Sequence, residues 1–243
     1  MGQLMDRVAV ITGASTGIGQ GIAVAYAAEG AKVVLASRNR KKLEAVAGEI
    51  RGAGGTALVM PTDVTLEEDV VGLFRQTMEA FGRVDILVNN AGITSRTPTD
   101  ELSLETWRNV LDVNLNGAFL CSREALRIMK RQRSGRIINI GSISAKVPRP
   151  NSAPYTTSKF ALEGLTRSLA LDARGHGIAV CILHPGNTAT PLWHGREDQA
   201  RLEGIMSPND LARVAVMMAA LPQDVNVFES IVLPVSMPFL GRG

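Results

Sequence analysis

Short apolar, β-branched runs alternate with helix-patterned stretches along the whole chain, and this alternation restricts the possible folds more than any other feature. Val8–Thr12, Lys32–Ser37, Thr56–Pro61 and residues 84–89, 136–140 and 179–184 read as strands, with a seventh at 231–235. Residues 17–29, 40–53, 104–131 and 153–173, and stretches opening at Thr65 and Ser207, read as helices. Uninterrupted apolar strands are buried on both faces, and intervening helices make parallel crossovers. Such crossovers are right-handed. The expected fold is therefore α/β, a doubly wound and mostly parallel sheet. Thr65 and Glu68 have the spacing of a capping box. Ser207 and Pro208 supply an N-cap and a first-turn proline. No linker, repeat or charge block divides the 243 residues, which read as a single domain, 1–243. The one long irregular stretch, about 187–207, reads as a short substrate lid.

Composition closes off other classes. Apolar residues make up 45% and charged residues 20%, which excludes disorder as the main character. A net charge of +3, spread along the chain, does not argue for nucleic acid. Cys121 and Cys181 sit in apolar segments without metal spacing and read as buried free thiols. His176, His184 and His194 form no ligand pattern, so no metal is expected. The N-terminus lacks a signal-peptide pattern, and no run is apolar enough to span a membrane. A cytoplasmic protein is expected.

The first strand runs directly into Thr12-Gly-Ala-Ser-Thr-Gly-Ile-Gly19, which opens the first helix. Glycines let a backbone turn tightly against a pyrophosphate, and the helix N-terminus then presents free N–H groups to it. The second strand ends at Ser37, followed by Arg38-Asn39-Arg40-Lys41-Lys42. An acid in this place would accept from a ribose 2′-OH, whereas an arginine suits a 2′-phosphate. Cations at a helix N-terminus also oppose the helix dipole, so their presence suggests a bound anion. NADP(H) is favoured over NAD(H), with Arg38 as the main contact.

Tyr155 and Lys159 lie four apart near a helix start and share one face. An ammonium nearby stabilises a phenolate and lowers the tyrosine pKa from about 10. Such a tyrosine exchanges a proton with a carbonyl or alcohol oxygen. Ser142 follows the fifth strand at the same sheet edge, where its hydroxyl can bond the same oxygen. Asn114 lies within the long helix, where asparagine has modest propensity. A buried Asn114 needs partners, and a water behind Lys159 is one it can hold.

These motifs together resemble the short-chain dehydrogenase/reductase family over nearly the whole chain, and 3-oxoacyl carrier-protein reductases generically. The resemblance implies a Rossmann fold binding NAD(P). Gly13, Ser15, Thr16, Gly17, Ile18 and Gly19 match its glycine motif, and Asp63 and Val64 its adenine-reading pair. Its Asn-Asn-Ala-Gly stands at Asn89, Asn90, Ala91 and Gly92, which implies that Asn89, Asn90, Ala91 and Gly92 line the cofactor. Pro185, Gly186, Thr188 and Thr190 match the turn that holds the nicotinamide carboxamide. Asn114, Ser142, Tyr155 and Lys159 match its catalytic set. In that set Tyr155 is the acid–base, Lys159 binds the nicotinamide ribose, Ser142 orients the carbonyl and Asn114 supports a relay water.

The resemblance implies hydride transfer between nicotinamide and a carbonyl or alcohol, most simply reduction of a small ketone or 3-oxoacyl group. The alternative is an NAD-dependent alcohol or sugar dehydrogenase. A homodimer through the helices at 104–131 and 153–173, or a homotetramer, is implied. The stretch from Phe228 to Pro238 departs from the family pattern that often helps build the tetramer. Substrate choice is expected in residues 94–96, 144–151 and 192–206, which carry Arg96, Lys146, Arg149, Trp193, His194 and Arg196. These cations either attract an anionic substrate or are solvated surface.

Overall fold

The strand β1 (Val8–Thr12) is buried at every residue, and its alternation divides the interior into two layers. Ala9 and Ile11 face one hydrophobic cluster, Val8 and Val10 the other. β1 pairs in parallel on both sides, with β2 (Lys32–Ser37) and β4 (Ile86–Asn89). With β3 (Thr56–Pro61), β5 (Gly135–Ile140), β6 (Ile178–Pro185) and β7 (Glu229–Val232) they form a seven-stranded parallel sheet in the order β3-β2-β1-β4-β5-β6-β7. The expected Rossmann architecture is therefore present. This computed structural model describes residues 2–193, 198 and 202–239.

Helices cover both faces. α1 (Gly17–Ala28), α2 (Arg40–Gly52) and α7 (Pro208–Ala220) lie on one side. Ile22, Tyr26, Leu43, Ile50 and Leu211 are fully or almost fully buried there. Removing each such side chain from water contributes about 1.5–3 kcal/mol. The Tyr26 hydroxyl donates to the Ala215 carbonyl at 3.0 Å, tying α1 to α7. α3 (Glu67–Phe81), α4 (Leu104–Leu111), α5 (Gly117–Gln132) and α6 (Ala153–Arg174) cover the other side. Cys121 and Cys181 are buried and free, as expected.

Caps decide several boundaries. The Asn39 side chain accepts from Lys42 N at 3.0 Å and starts α2. Ser207 and Asp210 form the capping box of α7, behind the expected proline. Thr65 does not play that part for α3. Its amide and hydroxyl both donate to Asp63 Oδ1, at 3.0 and 2.8 Å. The helix begins two residues later behind Leu66, with Glu67, Glu68 and Asp69 in its first turn. Acids there complement the helix dipole.

Two further expectations are corrected. Residues 104–131 are not one regular helix, because a π-helical turn at Asp112–Asn116 separates α4 from α5. The last strand spans Glu229–Val232 rather than 231–235, since pairing with residues 182–185 of β6 selects it. Its continuation leaves the sheet, and Val235 is fully exposed. Among the described residues no helix is long and apolar enough to cross a membrane.

Candidate active site

The sheet reverses its winding between β1 and β4, and the crevice at their C-terminal ends is where parallel sheets receive ligands. β1 ends at Thr12, whose hydroxyl organises the crevice. It accepts from the amides of Asn90 and Ala91 at 3.0 and 3.1 Å. The Asn90 amide group in turn donates to the carbonyls of Thr12 and Gly13, at 3.0 and 3.2 Å. Gly13 has φ +64°, and a Cβ there would lie 2.8 Å from Asn90 Nδ2 and 2.9 Å from Ala91 Cα. A Cβ on Gly19 would overlap the same amide and the Gly13 carbonyl. The glycine turn is thus clamped to the end of β4. Thr16, the N-cap of α1, makes no side-chain capping bond, and no acid stands in the first turn. The first amides of α1 are therefore open to an anion.

A cavity of about 350 Å³ lies against this turn. It is lined by Gly13, Ser15, Thr16, Gly17 and Ile18, by Arg38, Asp63 and Val64, and by Asn90, Ala91, Gly92 and Thr190. Gly19 shapes the turn from behind and is buried. Arg38 is exposed, with Nη1 4.0 Å from Asp63 Oδ2. No acid from the end of β2 reaches this cavity among the described residues. The glycine cradle, open amides and basic rim fit a nicotinamide dinucleotide. One expected lining residue is misplaced: Asn89 turns inward. Its Nδ2 donates to Ser122 Oγ at 2.9 Å and Asn139 Oδ1 at 2.8 Å. Asn139 Nδ2 continues to Thr166 Oγ1 at 2.8 Å. This buried polar chain joins β4, β5, α5 and α6.

A second cavity, about 490 Å³, meets the first at Ile18, Thr190 and Leu192. Ser142, Tyr155, Pro185, Gly186, Thr188 and Thr190 line it, together with Arg96, Arg149 and Trp193. Thr188 is held by a bridge to Met206. His194 and Arg196 fall outside the described residues.

Tyr155 and Ser142 share this cavity because α6 starts opposite the end of β5. Desolvation raises the Tyr155 pKa above its ordinary value, and a Ser142 hydrogen bond and the Arg96 charge offset only part of the rise. Lys159 lies one turn on, with Nζ 5.6 Å from the centre of the Tyr155 ring. That Nζ is buried and donates to the Ile140 carbonyl at 2.8 Å. Burial brings its pKa down to about 8. Asn114 lies in the π turn and is buried. Its Oδ1 accepts from Ile93 N at 2.8 Å, and its two N–H groups donate to Ile93 O and Ser158 Oγ, each at 3.0 Å. Ser158 Oγ donates to the Tyr155 carbonyl at 2.7 Å. Asn114 thereby ties the loop after β4 to the helix that carries Tyr155. A π turn, with one extra residue per turn, is a common device for such inward placement.

Sequence reasoning misses the support beneath Ser142. The buried His184 imidazole stands beside its backbone, and Gly141 leaves the room, since a Cβ there would lie 2.5 Å from His184 Nδ1. His184 Nε2 faces Glu229 Oε1 at 3.6 Å. Glu229 and Glu163 are matched by two cations. Lys146 reaches Glu163 at 2.8 Å and Glu229 at 2.6 Å, and Arg167 reaches them at 2.6 and 3.6 Å. Lys146, expected at the substrate mouth, is instead committed to this cluster. One signal could find this support: the neighbouring strands β5 and β6 must place residue 184 beside the turn after residue 140.

The chain has relatives among known proteins. The family model for short chain dehydrogenases matches residues 7–201. An uncharacterized oxidoreductase of Staphylococcus aureus (strain MRSA252) is 37% identical over 96% of this chain and 99% of its own length. A solved metagenomic short-chain oxidoreductase in complex with NADP aligns with TM-score 0.86 and 34% identity, over 96% of this chain and 99% of that one. The 3-ketoacyl-(acyl-carrier-protein) reductase of Brucella melitensis complexed with NADH gives 0.87 and 33%, over 94% and 97%. With the sheet order and the clamped glycine turn already in place, these matches make the chain an oxidoreductase of the short-chain dehydrogenase/reductase family.

Proposed function

We propose that this chain uses NADP(H) to interconvert a carbonyl and an alcohol, acting chiefly as a reductase of a small ketone or 3-oxoacyl group. The observation that carries the reading is the meeting of two cavities, one on the glycine turn and one holding Tyr155 and Ser142. When bound, the nicotinamide supplies or takes the hydride. The protein's residues handle the oxygen and its proton. Ser142 Oγ donates a hydrogen bond to the substrate oxygen. Tyr155 gives that oxygen its proton during reduction, and removes it in the reverse direction. The Lys159 ammonium under the ring favours phenolate. It has three N–H groups, one used on Ile140, which leaves two for ribose hydroxyls. Asn114 holds α6 in register with the loop after β4.

The preference for NADP(H) rests on Arg38 at the rim and on the lack of a competing acid from β2 among the described residues. A homodimer or homotetramer is inferred through α5 and α6, which leave Phe119, Phe160 and Leu171 exposed. The two buried thiols suit a reducing compartment such as the cytoplasm.

Tyr155→Phe tests the core of this reading. It lowers kcat by about 10²–10⁴-fold, the usual worth of a general acid–base, and leaves cofactor affinity near wild type. Turnover that survives the substitution removes Tyr155 from the reaction.

A further inference from the structure

Three cations come from the segments expected to choose the substrate, and their surroundings separate them. Lys146 is drawn away from the cavity by Glu163 and Glu229. Arg149 lines the cavity but is engaged: Nη2 lies 2.7 Å from Glu203 and 3.0 Å from Asn187 Oδ1. Its guanidinium also stands 5.6 Å from the Trp193 ring centre. Arg96 lines the same cavity as Tyr155 and Ser142. Among the described residues it has no carboxylate partner and no hydrogen bond. Arg96 is an exposed residue at the cavity mouth, and the partial burial it has, with the like charge of Arg149, disfavours its charge. An anion bound against Arg96 offsets both effects by direct attraction.

We propose that Arg96 binds a carboxylate on the substrate, so that the molecule reduced or oxidised is an oxo acid or hydroxy acid whose reacting carbon lies at Tyr155 and Ser142. The proposal rests on the carbonyl–alcohol reading above. A guanidinium presents paired N–H donors that match a carboxylate edge-on. Because Arg96 and Tyr155 border one cavity of about 490 Å³, the anion and the reacting carbon belong to one small molecule. This favours a carboxylate over the remote phosphate of a carrier-bound arm.

The test compares charged and neutral partners of the same skeleton: acetoacetate and levulinate against their methyl esters for reduction, and D-gluconate against sorbitol for oxidation. The expected wild-type result is a kcat/KM at least about tenfold higher for one or more of the acids. Arg96→Gln brings that acid-to-neutral ratio down by about 10–100-fold, the effect of one charge-assisted contact, and Arg96→Lys restores part of it. Equal use of acid and neutral partner by wild type, or a ratio unchanged in Arg96→Gln, overturns the proposal. Acid binding is also read without turnover, from the fluorescence of the bound reduced cofactor during titration with the same acids. Saturable binding lost in Arg96→Gln, with no turnover of any pair, upholds the carboxylate site while sinking the carbonyl–alcohol reading. No acid binding in wild type overturns the site itself.

Discussion

The His184 imidazole is fixed against the backbone of Ser142, with Nδ1 3.2 Å from its amide nitrogen and 2.9 Å from its carbonyl oxygen. Ser142 also caps the short 3-10 turn Ile143–Ala145, its Oγ accepting from Ser144 N at 3.1 Å. The serine is thus held by its backbone on one side and its hydroxyl on the other. His184→Ala removes the first restraint and leaves a polar cavity. We expect kcat to fall about tenfold or more, since small misplacement of a reacting group is costly, with cofactor affinity little changed. His184→Asn keeps an amide near Nδ1 and recovers part of the rate. Steady-state kinetics with separate cofactor titrations check this; equal rates in all three proteins would sink it.

Burial sets the protonation of the same residue. Desolvation holds the His184 pKa below its ordinary 6.5, and Lys146 adds to this, against the Ser142 backbone and the carboxylates of Glu229 and Glu163. The sign follows from linkage. Above 6.5 the imidazole is neutral whether the chain is folded or not. Below it the unfolded chain takes up a proton that folded His184 refuses. Stability therefore falls as pH drops from 6.5 toward the lower folded pKa, where the loss ends. Urea midpoints from pH 7.5 to 5 show the decline, and His184→Asn flattens it.

On the proposed reading, Arg38 sets the choice of cofactor. It stands exposed at the rim of the glycine-turn cavity, with Asp63 4.0 Å away as an ion-pair partner. In Arg38→Ala we expect NADPH affinity to fall about 10–100-fold and NADH affinity to change little, because NADH lacks the 2′-phosphate. Fluorescence titration of both cofactors reads the ratio. Equal losses for the two would assign Arg38 to the shared part of the cofactor.

How far the sequence discloses this molecule depends on the range of each interaction. Strands β1, β2 and β4 to β6 are visible because both faces are buried, so their apolar runs are continuous, and the edge strand β3 is marked by its apolar run from Ala57 to Met60. β7 starts two residues and ends three residues before the expected stretch because hydropathy marks the apolar run, whereas backbone pairing with residues 182–185 decides the strand. The π turn escapes notice because one extra residue hardly disturbs a helical pattern. Thr65 has the right spacing for a cap, but Asp63, two residues away, takes its hydroxyl first. The site motifs are local and legible, apart from Asn89, whose partners Ser122 and Asn139 are far off in sequence. The support of Ser142 by His184 crosses strands and carries no local mark.

Asn114 offers a test in which fold and site are read together. Its amide satisfies the N–H and the carbonyl of Ile93 and donates to Ser158 Oγ, all within a buried turn. Asn114→Ala strips partners from three polar groups, and stranded buried groups cost about 1–3 kcal/mol each where water cannot reach them. Relaxation of the loop offsets part of this, so we expect a net loss of about 2–4 kcal/mol, seen as a lower urea midpoint at unchanged m. The loop after β4 and the Tyr155 turn are then joined only through weaker contacts, so kcat falls as well. Asn114→Asp separates the two effects. It still accepts from Ile93 N but cannot donate to Ser158 Oγ, whose bond to the Tyr155 carbonyl then has no anchor. The expected outcome is a rate loss in both variants even at temperatures where each is fully folded. Full activity in folded Asn114→Ala would reduce Asn114 to a purely structural residue.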